Sequence, residues 1–409
     1  MTRPDVLIVG GGVIGCAVAY ELAKERLRVT LLERDGLCAG ASGANGALIW
    51  PQAMTRGVAL ELTLACARLF PTLGEELGAD IEYRRTGGMV AIETDEQWAR
   101  MAEYVAGQPA VGLHAELLDG PEARRREPLL APSLRGAVFA EHGGTINPFR
   151  LTLGYAHAAR KLGAALVTGT EAHTLLRRGH RIVGVRTSAG DLEAECVILA
   201  GGAWSGALAA TADVRVPVTP RQGMVVVTEP APFRLRHVLK PIKADRDMWR
   251  FSQPWPHDAP GKPDYDPNLP PGKGMGIAQM AAGNLVIGST SRFVGLDRTL
   301  TLAGIRYILD HAVRIAPAVA KLHVLRTWAG LRPYTPDGLP LLGPAPGVDG
   351  LMLATGHDGS GIGMSPVSAR LVAAAVTKAD PPLPLEPFDP RRFGPRRFGE
   401  IVTRGKDPS

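Results

Sequence analysis

Residues 5–34 read DVLIVGGGVIGCAVAYELAKERLRVTLLER. The run 5–10 is continuously apolar and ends in glycine, the pattern of a strand buried on both faces of a parallel sheet. From Val13 to Lys24, Ile14, Ala17, Val18 and Leu22 recur at helical spacing. Residues 28–33 form the next strand, so the stretch is a βαβ unit. Its first turn, Gly10-Gly11-Gly12-Val13-Ile14-Gly15, is a GxGxxG. Gly10 permits the tight turn, Gly12 lets the backbone approach a pyrophosphate, and Gly15 lets the helix pack closely on the sheet. The helix N-terminus then faces phosphate charge. Glu33 closes the second strand, where a carboxylate accepts hydrogen bonds from ribose hydroxyls and repels a 2′-phosphate. A glycine-rich turn without a ligand is the alternative, but the strand, the helix and the terminal acid together favour a dinucleotide. The fingerprint does not separate NAD from FAD.

The rest of the chain is long for one module: 409 residues suggest two or three domains at ~100–200 residues each. With 45% hydrophobic and 21% charged residues a sizeable core is affordable and wholesale disorder is excluded. No apolar run reaches the ~18 residues of a membrane span. The N-terminal residues lead straight into the strand pattern without a signal-peptide layout, so a cytoplasmic location is expected. Cys16, Cys38, Cys66 and Cys196 form no CxxC pair and have no metal-ligand spacing, which argues against a disulfide framework or a metal site. A net charge of +6 is compatible with acidic small molecules and does not demand nucleic acid.

Helices are expected at 57–78, 94–106, 148–162 and 301–315. Strands are expected within 81–92 and at 164–168, 181–187, 195–200, 223–229 and 284–290. A last unit places a strand at 350–355, a glycine-rich loop at 356–363 and a helix over 365–378 with Pro366 in its first turn. Residues 240–275 hold eight prolines with Trp249, Phe251, Trp255 and Tyr265, which forbids regular structure inside the segment. It reads as a lid or partner surface, or as a decorated loop. From Asp380 the chain is Pro/Arg-rich and repeats PRRFG at 390–399, a solvated tail. The expected architecture is α/β in two domains. A discontinuous Rossmann-like domain (1–80, 146–217, 325–380) is interrupted by an antiparallel β-sheet substrate domain (81–145, 218–324), with a tail over 381–409.

Two further segments carry chemistry. Residues 39–47, AGASGANGA, are small, polar and glycine-rich, suited to run along a cofactor or to form a surface loop. In Gly330-Leu331-Arg332-Pro333-Tyr334-Thr335-Pro336-Asp337, Arg332 stands among apolar neighbours, where a guanidinium is costly unless paired. Its fork matches a carboxylate, either a ligand's or a structural one.

VLIVGGGVIGCAVAYELA, LLERD, GASGANGA, ECVILAGGAWS, GLRPYTPDGLPLLG and ATGHDGSGIGMSP, in this order over residues 5–378, resemble the D-amino-acid oxidase superfamily of FAD-dependent amine oxidoreductases. The likeness leans to its glycine oxidase, D-amino acid dehydrogenase and D-hydroxyproline or opine dehydrogenase branch. The resemblance implies FAD extended across the Rossmann-like domain, its ring at the border with the β domain. Gly10, Gly12, Gly15 and Glu33 would hold pyrophosphate and ribose. Ser42, Asn45, Gly46 and Ala47 would line the middle of the cofactor, and Ala172 would make a backbone contact to adenine. Gly359, Gly361, Ile362 and Met364 would lie under the flavin pyrimidine edge. Val13, Ile14, Arg34, Gly201 and Trp204 complete the implied set. Arg332 would bind the substrate carboxylate, with Tyr334 capping the substrate or simply packing. Met248, Trp249 and Met275 would contribute to a distal pocket.

The implied activity is oxidation of the C–N bond of a small amino or imino acid, with hydride leaving the α-carbon for flavin N5. The electron acceptor is oxygen, a quinone or a partner subunit, in a homo- or hetero-oligomer. A flavin-carrying subunit of a heteromeric dehydrogenase is the alternative. Relatives that attach flavin covalently use a Cys near the TPD motif or a His near the ASG segment. Residues 328–334 hold no Cys and 40–47 no His, so non-covalent FAD is expected. Between Gln279 and Trp328 the one lysine is Lys321, in the wrong context to sit over a flavin for oxygen, which favours a dehydrogenase over a fast oxidase. His357 either touches the flavin or orders the glycine loop, the second being favoured.

Overall fold

The computed structural model describes residues 3–51, 57–242 and 275–393. Met248, Trp249, most of the proline-rich insert and the tail beyond 393 lie outside the described residues.

The βαβ reading of the N-terminus holds. Val6–Val9 and Val29–Leu32 are parallel neighbours, and the helix between them is Val13–Lys24. They belong to a six-stranded sheet whose order is Leu341–Pro344, Leu351–Thr355, Cys196–Leu199, Val6–Val9, Val29–Leu32, Ala165–Val167. All pairs are parallel except the Leu341–Pro344 edge. The strands come from three distant parts of the chain, as a discontinuous doubly wound domain requires. The N-terminal helix is buried almost all round because Pro148–Lys161 and Gly361–Thr377 both pack on it. On the opposite face, an antiparallel three-stranded sheet (Ala172–Arg178, Arg181–Thr187, Gly190–Glu193) shares a core of Leu175, Ile182 and Val185 with Leu7 and Val197.

A second, eight-stranded sheet runs Val324–Tyr334, Thr219–Pro230, Asn284–Gly288, Gly276–Gln279, Val238–Pro241, Gly88–Ile92, Gly136–Ala140, Ala115–Asp119. It is antiparallel apart from the pairing of Val238–Pro241 with Gly88–Ile92. One face is sealed by the amphipathic helix Leu302–Ile315. The boundary expected at 325 would group Val324–Tyr334 with the nucleotide-binding pieces. That strand is instead hydrogen-bonded along its length to Thr219–Pro230 and lies in the large sheet.

The last helix also differs from expectation. It spans Gly361–Thr377, so the glycine-rich turn ends at Ser360 and Pro366 lies within the helix. A proline there deprives the Ile362 carbonyl of its backbone donor. The Ser365 hydroxyl donates to that carbonyl at 3.0 Å and replaces the lost bond. Ser365→Ala is therefore expected to destabilise the protein by about 1 kcal/mol, read as a lower urea midpoint at unchanged slope.

Candidate active site

A cavity of about 650 Å³ runs between the two sheets. At one end lie Glu33, Arg34 and Ala172, at the other Trp50, Lys240 and Met275, with Gly12, Ser42, Gly46 and Gly361 along the way.

Its first wall is the glycine turn. Gly10 has φ +119°, and a Cβ there would lie 2.4 Å from the Ala200 carbonyl. Gly12 is the N-cap of the first helix and offers no side-chain cap, and Ile14 in the first turn lines the cavity, where a helix start suits an anion. Ser42 accepts the Val13 N–H at 2.9 Å, fixing the 41–47 segment against the helix start. Glu33 accepts from Gly11 N–H (2.7 Å) and Asp35 N–H (3.0 Å), so the loop holds its carboxylate at the cavity edge. Arg34 stacks over the Trp204 ring at 4.3 Å, and both line the cavity with Gly201.

The second wall is the start of the last helix. Its N-cap, Ser360, also gives no side-chain cap, and Gly361, Ile362 and Gly363 line the cavity. Two helix N-termini whose own N-cap residues give no side-chain cap thus face one space, donor sets suited to a pyrophosphate and to an electron-rich ring edge. The large sheet contributes Gly223, Gly288 and Gly330 to the lining, beside Arg221 and Arg332. Gly330 is so close to the 41–47 segment that a Cβ would lie 2.7 Å from that of Ala44. Gly288 also lines the cavity, with backbone where another residue would place a side chain. The residues present fit a dinucleotide carrying a planar ring.

Arg332 reaches this space from the large sheet. Its Cα is the register partner of that of Arg221. A Cβ on Gly223 would stand 2.1 Å from the Arg332 Nη2, so glycine makes the room for the guanidinium. Nη2 donates to the Ser289 hydroxyl and, at 3.1 Å, to the Thr290 carbonyl. Arg221 is tied to Asp358, while no carboxylate among the described residues lies within salt-bridge distance of Arg332. Burial, reinforced by Arg221, pushes the Arg332 guanidinium down to about 10, and Asp358 opposes the fall. The group stays cationic at neutral pH and is poised for an anion.

His357 is buried, and its Nε2 lies 3.1 Å from the Ser368 hydroxyl, joining the glycine loop to the last helix. It also lines the cavity. Burial pushes the imidazole from 6.5 down to about 3. Below about pH 6.5 the unfolded chain binds a proton that the native state refuses. Stability therefore falls as pH drops from 6.5 towards 3, by up to ~1.4 kcal/mol per unit from this residue. A His357→Asn variant should show a flatter acid limb in urea midpoints taken between pH 7 and pH 4.

Four residues of the expected set lie behind the cavity wall. Gly15 is a packing residue: a Cβ would lie 1.9 Å from the Gly10 carbonyl oxygen. Ala47 donates its N–H to the Asn45 side chain at 2.7 Å within the turn. Met364 is turned into the core. Tyr334 is buried edge-on to Phe293, ring centroids 5.1 Å apart, with Arg221 over its ring, so it packs and does not cap the cavity. Gly10, Gly12, Val13, Ile14, Glu33, Arg34, Ser42, Asn45, Gly46, Ala172, Gly201, Trp204, Gly359, Gly361, Ile362, Arg332 and Met275 all line it. Cys38 is buried against Thr152, its thiol pushed up to about 11 by burial. Lys321 is exposed and does not line the cavity. Sequence reasoning missed Arg221, Asp358, Ser289 and Lys240. Asp358 stood inside a motif already noticed; the others are joined to the site only by sheet register and strand order.

Comparison with known proteins agrees with this geometry. The family described as FAD dependent oxidoreductase matches residues 5–375. Hydrogen cyanide synthase subunit HcnC of Pseudomonas aeruginosa is 32% identical, over 95% of this chain and 96% of that protein. Glycine oxidase of Geobacillus kaustophilus is 31% identical, over 94% and 96%. The crystal structure of glycine oxidase from Geobacillus kaustophilus superposes with a TM-score of 0.83 at 30% identity, covering 95% of this chain and 98% of the other. No helix among the described residues is long and apolar enough to cross a membrane. With the glycine turn and the start of the last helix both on one cavity, the chain belongs to the family of FAD-dependent oxidoreductases and is an enzyme whose cofactor is FAD.

Proposed function

We propose that the enzyme oxidises the C–N bond of a small amino or imino acid. The observation that carries this reading is Arg332, a recessed guanidinium without an acid partner among the described residues, on the wall facing the start of the last helix. Bound FAD supplies a hydride acceptor at N5. The chain's own contribution is orientation: Arg332 takes the substrate carboxylate in its fork, Ser289 and the Thr290 carbonyl fix that fork, and the α-carbon is thereby presented to the ring. His357 stays neutral and Asp358 is engaged by Arg221, so neither is assigned as a base. The lone pair of a neutral amine suffices to expel the hydride. The uncapped Gly361–Gly363 N–H groups would stabilise negative charge on the ring edge. Gly10, Gly12 and Ser42 would hold the pyrophosphate, non-covalently, and Glu33 the ribose. Residues 1–80, 146–217 and 335–380 are assigned to FAD and 81–145 with 218–334 to the substrate. A dye-coupled assay with trapping of the 2-oxo acid or aldehyde product tests the reading. A primary isotope effect with α-deuterated substrate supports hydride loss, and a turnover that produces no carbonyl compound contradicts it.

A second reading is favoured by the 32% identity to a protein named as a synthase subunit: the chain passes electrons to a partner subunit. Dye reduction by the lone chain, with no cellular acceptor active until a second protein is added, would support it.

A further inference from the structure

Two arginines share one patch of the cavity. Arg221 and Arg332 are register partners on neighbouring strands of the large sheet, and both line the cavity. Side chains directly opposite each other on such strands stand on one face, about 5 Å apart at Cβ. The carboxylate of Asp358 comes to the same patch and is ion-paired with Arg221.

Asp358 is also a neighbour of Arg332. Its backbone N–H donates at 2.9 Å to the carbonyl of Pro333, the residue after Arg332. The next residue in the loop, Gly359, lies so close that a Cβ there would stand 3.4 Å from Arg332 Cδ and 3.5 Å from Nε. The stem of Arg332 therefore crosses the glycine loop beside Asp358. The two neighbours act on Arg332 with opposite signs, Arg221 lowering its pKa and Asp358 raising it. The ion pair with Arg221 engages Oδ2 of the carboxylate. Among the described residues its Oδ1 is buried without a hydrogen-bond partner, as is Arg221 Nε. A buried carboxylate with an idle oxygen gains strongly from a second donor. The Arg332 fork beside it is a donor of the right kind.

We infer that Arg221 is a positioning residue for the carboxylate site: it occupies Asp358, which would otherwise turn to Arg332, fill its fork and exclude the substrate. The three charges sum to +1, which one substrate carboxylate neutralises. This rests on the amino-acid reading above, in which Arg332 takes the carboxylate, and adds what keeps Arg332 open. Arg221 acts through Asp358 and does not itself touch the substrate.

Anion affinity of the FAD-loaded enzyme tests it, with acetate as an unreactive probe followed by perturbation of the flavin spectrum. Arg221→Met frees Asp358 to reach Arg332 and should raise the half-saturating acetate concentration at least about tenfold. Asp358→Asn leaves two cations facing the anion and should lower it by about threefold or more. The double variant, Arg221→Met with Asp358→Asn, should return to within about threefold of the native value, a coupling that the cycle of four proteins isolates. Arg221→Lys keeps the pairing charge and should stay close to native. A double variant as weak as Arg221→Met alone overturns the inference, since Arg221 would then bind the anion itself or merely brace the glycine loop. Native acetate affinity in Arg221→Met overturns it as well. If Arg221→Met does not hold flavin, Asp358→Asn decides, and weaker acetate binding in that variant overturns the inference. Arg332→Met is the reference. An acetate titration that it leaves unchanged removes the carboxylate site and the proposed function with it. A loss in Arg332→Met without rescue in the double variant removes the role of Arg221 alone.

Discussion

Arg332→Met is expected to raise the substrate concentration needed for half-maximal flavin reduction by on the order of 10²–10³-fold, since truncating one partner of a desolvated charge pair costs about 3–4 kcal/mol. FAD content should be unchanged, because Arg332 belongs to the large sheet and not to the glycine turn. Arg332→Lys keeps the charge and loses the fork, so its defect should be smaller and concentrated in the reduction rate. Gly223→Ala offers an independent check without touching the arginine. Its Cβ would land 2.1 Å from Nη2, so the guanidinium must leave its seat against Ser289 and Thr290. That variant should reproduce the direction of the Arg332 defect. Titrations monitored at the flavin band separate affinity from rate.

The glycine turn gives the second large effect, through a contrast between neighbours. Gly15→Ala places a Cβ 1.9 Å from the Gly10 carbonyl oxygen, inside the joint between helix and sheet. The helix has to move off the core it shares with Pro148–Lys161 and Gly361–Thr377, at about 3 kcal/mol or more. Loss of stability and loss of flavin should appear together. At Gly12 a Cβ would stand 3.1 Å from the Ser42 hydroxyl, and the residue lines the cavity. Gly12→Ala should fold with a nearly unchanged urea midpoint, yet bind FAD at least about tenfold more weakly, as the methyl group keeps backbone N–H from the pyrophosphate. Equal stability losses in both variants would argue that the turn is merely structural.

The parts of this molecule that were legible in the sequence are those decided by local sterics. Val6–Val9, the helix Val13–Lys24 and Val29–Leu32 were readable because apolar periodicity and glycine sterics act over a few residues. Most residues expected to hold the cofactor line one cavity for the same reason, since they cluster at strand ends and helix starts. Pro366 misled the reading of the last helix: its position suggested a first turn, and nothing in the sequence announced that Ser365 would replace the missing bond. Gly136–Ala140 and Ala115–Asp119 escaped because their strand character comes from pairing within the sheet and not from alternation. Arg221 and Lys240 escaped for a related reason. Arg221 meets Arg332 through a register spanning more than a hundred residues, and Lys240 reaches the cavity only because its strand takes its place in the large sheet. Tyr334, open in the sequence between capping the substrate and packing, packs against Phe293.

The central claim is that FAD in this cavity is reduced by an amine whose carboxylate is held by Arg332. It is tested most directly by an anaerobic visible titration of the FAD-loaded protein with glycine, sarcosine, D-hydroxyproline and a panel of D-amino acids, run beside Arg332→Met. The account predicts that at least one carboxylated amine bleaches the flavin band, and that the variant requires on the order of 10² times more of it. A flavin band that no carboxylated amine bleaches, or an Arg332→Met titration that overlays the native one, would contradict it.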